Sequence, residues 1–166
     1  ANCGLYCGAK ADFVDIDPKT YNLCTLELEK KLVQAHKKNK VPKILVTVHF
    51  AGQSCDMKRI YDLSKEYGFF IIEDASHAIG AKYLGNYIGC CQYSDLTVFS
   101  FHPVKIITTA EGGMVTTNNK SLADSVSLYR NHGVKKTKYL HKVPGLNFRL
   151  TNFQAAMGYA QLEHFI

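Results

Sequence analysis

The chain has 166 residues, of which 46% are hydrophobic and 20% charged, the composition of a folded globular domain rather than a disordered or collagen-like segment. Its formal net charge is +6, but Lys and Arg are scattered, with short clusters at residues 37–43 and 135–138 and no interleaved aromatic and basic stripe, so a nucleic-acid partner is not expected. No apolar run reaches the roughly 18 to 20 residues that cross a bilayer and no basic-then-apolar leader opens the chain, so a cytoplasmic protein without membrane contact is expected.

In chain order, residues 11–15 (ADFVD) read as a short strand stopped by Asp17 and Pro18. Residues 26–38 carry apolar positions at Leu26, Leu28, Leu32, Val33 and Ala35 among charges, the pattern of a helix, with Thr25 as its N-cap. Residues 41–50 (VPKILVTVHF) form a β-branched apolar run that suits a strand buried on both faces. A helix over residues 56–67 ends at Gly68. Residues 69–74 (FFIIED) and 96–101 (LTVFSF) read as further buried strands, and residues 114–117 as a fifth after Glu111, Gly112 and Gly113. Helices follow over residues 121–131 and 151–165. Residues 139–146, with Pro144 and Gly145, read as an exposed loop.

This alternation predicts an α/β fold, a mostly parallel sheet flanked by helices. In such sheets the working groups collect beyond the carboxyl ends of the strands, which directs attention to the residues just after each one. The six cysteines (Cys3, Cys7, Cys24, Cys55, Cys90 and Cys91) lack the spacing of a zinc set and no paired His motif completes one, so reduced thiols and no metal site are expected.

Asp74 stands where the apolar strand ends. A carboxylate there needs a partner, for which a metal ion, a cationic residue or a protonated ring nitrogen could serve, or it goes neutral; the plainer reading is a helix N-cap for the next segment. Lys105 follows a strand by a few residues in a stretch of low polarity (Pro103, Val104, Ile106, Ile107). A lysine buried among apolar neighbours can serve as an amine nucleophile and form a Schiff base; the plainer reading is a surface lysine. Ser100 offers a hydroxyl to a phosphate, and Gly112 and Gly113 permit close backbone approach. His49 and His102 read as hydrogen-bonded structural histidines without a catalytic role.

Taken together, five ordered blocks resemble the pyridoxal-phosphate-dependent sugar aminotransferases of the DegT/DnrJ/StrS family. They are VHFAGQSCDM at 48–57, IIEDASHAIGAKYLG at 71–85, VFSFHPVKIITTAEGGMV at 98–115, RNHG at 130–133 and GLNFRLTNFQAAMGYAQL at 145–162. The wording is most like the UDP-4-amino-4,6-dideoxy-sugar transaminases of the pseudaminic acid pathway. The resemblance implies the large domain of the fold type I (aspartate aminotransferase-like) transferases and pyridoxal 5'-phosphate as cofactor. By resemblance, Lys105 holds the cofactor and moves the proton between donor and cofactor. Asp74 pairs with the pyridine nitrogen and His77 lies near the ring's O3′ edge. Ser100 contacts the phosphate, and Asn147 reaches the phosphate of a neighbouring subunit, which implies a homodimer with shared active sites. The implied reaction moves an amine from an amino acid, glutamate, to a nucleotide-linked 4-keto-6-deoxy sugar for surface-glycan synthesis. One departure is Ala110, where the family often has Gly.

The chain does not begin with Met and is roughly half the family's length, so it is expected to be a central piece. It would be a partial large domain over 1–166, without the N-terminal phosphate cup and the C-terminal small domain. The strand at residues 11–15 would lack its neighbour, and the isolated piece would be poorly stable and inactive. A sugar dehydratase of the same family is the alternative enzyme, although such enzymes usually carry His where Lys105 stands. A non-catalytic remnant is the alternative from another class.

Overall fold

The computed structural model describes residues 1–134 and 140–165. The basic cluster at 135–138 and the start of the expected loop at 139 lie outside the described residues. The elements are α1 (Asn2–Tyr6), α2 (Thr25–Lys37), β1 (Ile44–Val48), a 3-10 turn (Phe50–Gly52), α3 (Met57–Tyr67), β2 (Phe70–Asp74), β3 (Lys82–Tyr83), β4 (Asn86–Tyr87), β5 (Leu96–Ser100), β6 (Gly113–Thr116), α4 (Lys120–Arg130) and α5 (Asn152–Leu162). The main sheet has the order β1-β2-β5-β6, and β3 and β4 form a separate hairpin. β1, β2 and β5 run parallel, with Val48 opposite Asp74 and Asp74 opposite Val98. β6 is antiparallel to β5. The expected α/β fold with a mostly parallel sheet is therefore present.

Local chemistry accounts for several boundaries. The Arg59 N–H donates to the Asp56 side chain at the start of α3, and Gly68 ends that helix at φ 76°, where a Cβ would be strained. Thr151 and Gln154 form a capping box that opens α5. The expected cap at Thr25 is displaced by one residue. Cys24 is the N-cap, without a side-chain hydrogen bond, and Thr25 already lies inside α2.

Two further expectations fail for one physical reason. Residues 11–15 form no strand, and among the described residues the only ladder-like contact nearby is the single bridge between Ile16 and Leu23. An extended segment without a neighbouring strand has no partner for its backbone groups. Likewise, β1 and β2 are buried on one face only. Leu28 and Leu32 of α2 and Met57, Ile60 and Leu63 of α3 pack on Leu45 and Ile71. On the opposite face Ile44, Val46, Val48 and Phe70 are 46–60% exposed, because no described helix covers it. A smaller cluster of Ala75, Ala78, Ile88, Phe99, Phe101 and Ile107 packs beside the carboxyl end of β5.

Candidate active site

Asp74 is the last residue of β2 and Ser100 the last of β5. Side chains alternate along a strand, and Glu73 and Phe99 are buried while Asp74 and Ser100 share the more open face. Asp74 Oδ1 accepts the Ser76 N–H at 3.1 Å. No helix follows, so Asp74 closes a turn instead of capping a helix, and among the described residues only its Oδ1 is engaged.

Beyond β5 the chain turns back on itself. The Phe101 carbonyl accepts both the Thr109 N–H and the Thr108 hydroxyl at 3.0 Å. Inside that closed loop the Lys105 N–H donates to the His102 carbonyl at 2.9 Å. Lys105 is half-buried. The apolar surroundings expected from its chain neighbours are absent, since Val104 and Ile106 are exposed and only Ile107 is buried. His102 is exposed, its Nδ1 3.4 Å from the Val104 N–H.

Two glutamines of α5 fix the far side of this loop. Gln161 accepts the Thr108 N–H at 3.0 Å and donates to the Thr108 carbonyl at 2.7 Å. Gln154 donates to the Glu111 carbonyl at 2.9 Å. Gly112 and Gly113 are required by close packing. A Cβ at Gly112 would lie 2.4 Å from Thr109 Oγ1 and one at Gly113 2.7 Å from the Phe99 carbonyl oxygen. Ala110, the departure noted in the sequence, adopts φ 63°, a left-handed conformation that favours glycine.

His77 is exposed, with its ring edge-on to Phe50 at 6.4 Å between centroids. The segment carrying Phe50 is held by Asn22, which is 4% exposed. Asn22 accepts the Phe50 N–H at 2.9 Å and donates to the Gln53 and Ser54 carbonyls at 3.0 and 3.2 Å. Gly52 sits at φ 86°, and a Cβ there would meet the His77 carbonyl at 3.0 Å, so glycine lets the two turns touch. Sequence reasoning overlooked Asn22; the only signal was an Asn in the turn following Pro18.

Under the sheet lies a buried polar set. His49 is fully buried, as its structural reading predicts, and its Nε2 lies 2.7 Å from Glu73 Oε2. Ser94 and Thr97 donate to Glu73 Oε1, Thr97 at 2.9 Å. Burial alone would raise the Glu73 carboxyl; the hydrogen bonds from His49, Ser94 and Thr97 overturn that and hold it below its ordinary value. Burial pushes the nearby Cys55 thiol up to about 11.

Asp74 and Ser100 thus lie at the carboxyl ends of β2 and β5, and His77 and Lys105 just beyond them. Asn147 lies on a different segment. It is exposed, and it bridges Asn131 where residues 130–133 and 145–149 pair through the close approach of Gly133 and Gly145. Among the described residues no hydrogen bond joins it to the other four. All six cysteines are free, and no group of His, Cys, Asp and Glu among the described residues could hold a metal ion.

The mostly parallel α/β sheet, with Asp74 and Ser100 at the carboxyl ends of β2 and β5, is of the kind found in its structural neighbours, the fold type I pyridoxal-phosphate-dependent aminotransferases. The profile of the DegT/DnrJ/EryC1/StrS aminotransferase family matches residues 1–166, and the chain belongs to that family. It is 42% identical over 164 residues to GDP-perosamine synthase of Caulobacter vibrioides, a match covering 98% of this chain and 42% of that protein. It is 40% identical over 166 residues to the UDP-4-amino-4,6-dideoxy-N-acetyl-beta-L-altrosamine transaminase of Campylobacter jejuni, covering 98% and 43%. Helicobacter pylori PseC, an aminotransferase involved in the biosynthesis of pseudoaminic acid, superposes with a TM-score of 0.89 at 36% identity, covering 98% and 42%. Protein Spr1654 of Streptococcus pneumoniae, solved in a PLP form, gives a TM-score of 0.81 at 25% identity, covering 99% and 45%. The chain spans less than half the length of the relatives it matches.

Proposed function

We propose that this chain is the cofactor-holding centre of a nucleotide-sugar aminotransferase that uses pyridoxal phosphate. The observation that carries the reading is the placement of Asp74 and Ser100 at the ends of adjacent parallel strands, on one face, with Lys105 in the closed loop that follows. The donor set suits that cofactor: an amine, a carboxylate with one oxygen unengaged, and a hydroxyl on one edge. When bound, pyridoxal phosphate supplies an electron sink that makes the donor's Cα proton acidic. In this reading the Asp74 carboxylate holds a proton on the pyridine nitrogen. The Ser100 hydroxyl donates to the phosphate, and His77 borders the ring. The Lys105 amine would hold the cofactor and, once displaced by the donor's own amine, would be the base for the donor's Cα proton. Asn147, apart from the others on its exposed segment, would serve the phosphate of a second copy, so the working unit is a homodimer with shared sites and 1–166 is part of its large domain.

For the substrate, we infer a 4-keto-6-deoxy sugar on a nucleotide, with glutamate as amino donor, on a route to surface glycans such as those containing pseudaminic acid. Relatives acting on both GDP- and UDP-linked sugars support the class, and the block wording favours UDP. The test offers the intact polypeptide labelled glutamate with either the UDP- or the GDP-linked keto sugar. Labelled nitrogen in the UDP sugar is expected. Transfer to the GDP sugar alone would overturn the finer assignment, and transfer to neither would overturn the activity.

A further inference from the structure

We propose that His49 and Glu73 are positioning residues for Asp74, a buried clamp that fixes the carboxyl ends of three strands and so aims the Asp74 carboxylate. The proposal rests on the reading of Asp74 as the partner of the cofactor's ring nitrogen.

Glu73 precedes Asp74 and points to the opposite side of the sheet, so the two side chains do not meet; the coupling runs through the backbone. One Glu73 oxygen is bound to His49 at the end of β1, and the other to Ser94 and Thr97, which lead into and belong to β5. The same strand ends are tied by main-chain bonds. The His49 N–H donates to the Asp74 carbonyl at 3.1 Å and the Ala75 N–H to the Val98 carbonyl at 2.8 Å. A single carboxylate therefore laces β1, β2 and β5 at the residue before Asp74.

The clamp also fixes its own protons. His49 Nδ1 accepts the Cys55 N–H at 3.2 Å, so the ring proton sits on Nε2 and is donated to Glu73. His49, Glu73 and Thr97 are each less than 5% exposed, and no buried side-chain polar atom among the described residues lacks a partner. Apolar packing would fill this space at lower desolvation cost. What directional bonds add is orientation: each donor admits only a narrow range of geometry. Phe70 and Val48 on the open face offer Asp74 no comparable restraint, being 60% and 46% exposed.

The test uses the intact polypeptide with His49→Gln and His49→Asn. The glutamine amide can reach the Nε2 position and still donate to Glu73, but loses the Cys55 contact. The asparagine oxygen can take the Nδ1 position and still accept from Cys55, but leaves Glu73 without its β1 donor. Both remove a buried ring, so both should lower the melting temperature to a similar degree. The clamp predicts that His49→Gln binds pyridoxal phosphate with near-native affinity and an unshifted absorption band. His49→Asn should bind about tenfold more weakly, the value of one charge-assisted hydrogen bond, with a displaced band. Equal cofactor behaviour in the two variants, tracking their melting temperatures, would overturn the clamp. Thr97→Val, nearly isosteric, combined with Ser94→Ala removes both donors of the β5 arm and should weaken binding in the same direction; native affinity and band in that double variant would also overturn it. Borohydride trapping of the wild type separates the two levels. Label at Lys105 with no difference among variants removes the clamp alone, and no label removes the reading of Asp74 and the clamp with it.

Discussion

Replacing Asn22 with alanine removes three hydrogen bonds that hold the turn after β1. A net value of about 1 kcal/mol for each would give about 3 kcal/mol. Two of the freed groups, the carbonyls of Gln53 and Ser54, belong to exposed or half-buried residues that water can reach. The loss is therefore nearer about 2 kcal/mol, concentrated in residues 50–54. In hydrogen exchange of the intact polypeptide, peptides covering that turn should exchange about thirtyfold faster, while those from α3 keep their rate. Asn22→Asp keeps the acceptor for the Phe50 N–H, loses both donors and should fall between. Unchanged exchange at residues 50–54 in Asn22→Ala would refute the claim that one buried side chain sets this turn against His77.

Ala110→Gly relieves a left-handed residue worth about 1 kcal/mol, partly offset by the greater freedom of glycine in the unfolded chain; a gain of about 0.5 kcal/mol is expected in denaturant unfolding, and a loss would contradict it. Iodoacetamide at neutral pH should label the exposed Cys3, Cys7 and Cys90 first. Cys55, buried and with its thiol pushed up to about 11, should be spared until the protein unfolds; early label there would mean that the core around His49 is open.

The sequence makes the sheet readable because β1, β2 and β5 are short β-branched or aromatic runs, β2 and β5 ending in the polar Asp74 and Ser100, with helical periodicity between β1 and β2. It misleads over residues 11–15, since strand propensity in that run says nothing about whether a neighbour exists to pair with. It likewise misleads over the second face of the sheet, because an apolar run signals burial without saying what does the burying. The β3–β4 hairpin escaped notice because its strands are two residues each, too short for any alternation to register. Asp74, His77, Ser100 and Lys105 stand out by their place at or just past the ends of β2 and β5, whereas Asn147 follows no strand. Asn22, Gln154 and Gln161 do not stand out, because their roles depend on partners up to 53 residues away, and nothing local marks a polar side chain that serves a distant backbone. Glu73 is adjacent to Asp74 in sequence and opposite to it in space, a distinction that only the strand's alternation and the positions of Ser94 and Thr97 make visible.

The central claim is that Lys105 carries the cofactor. Incubating the intact polypeptide with pyridoxal phosphate, reducing with borohydride and mapping the modified peptide tests it directly. A pyridoxyl mass on Lys105, absent in Lys105→Ala, is the predicted result. Label confined to other lysines, or none, would contradict the account.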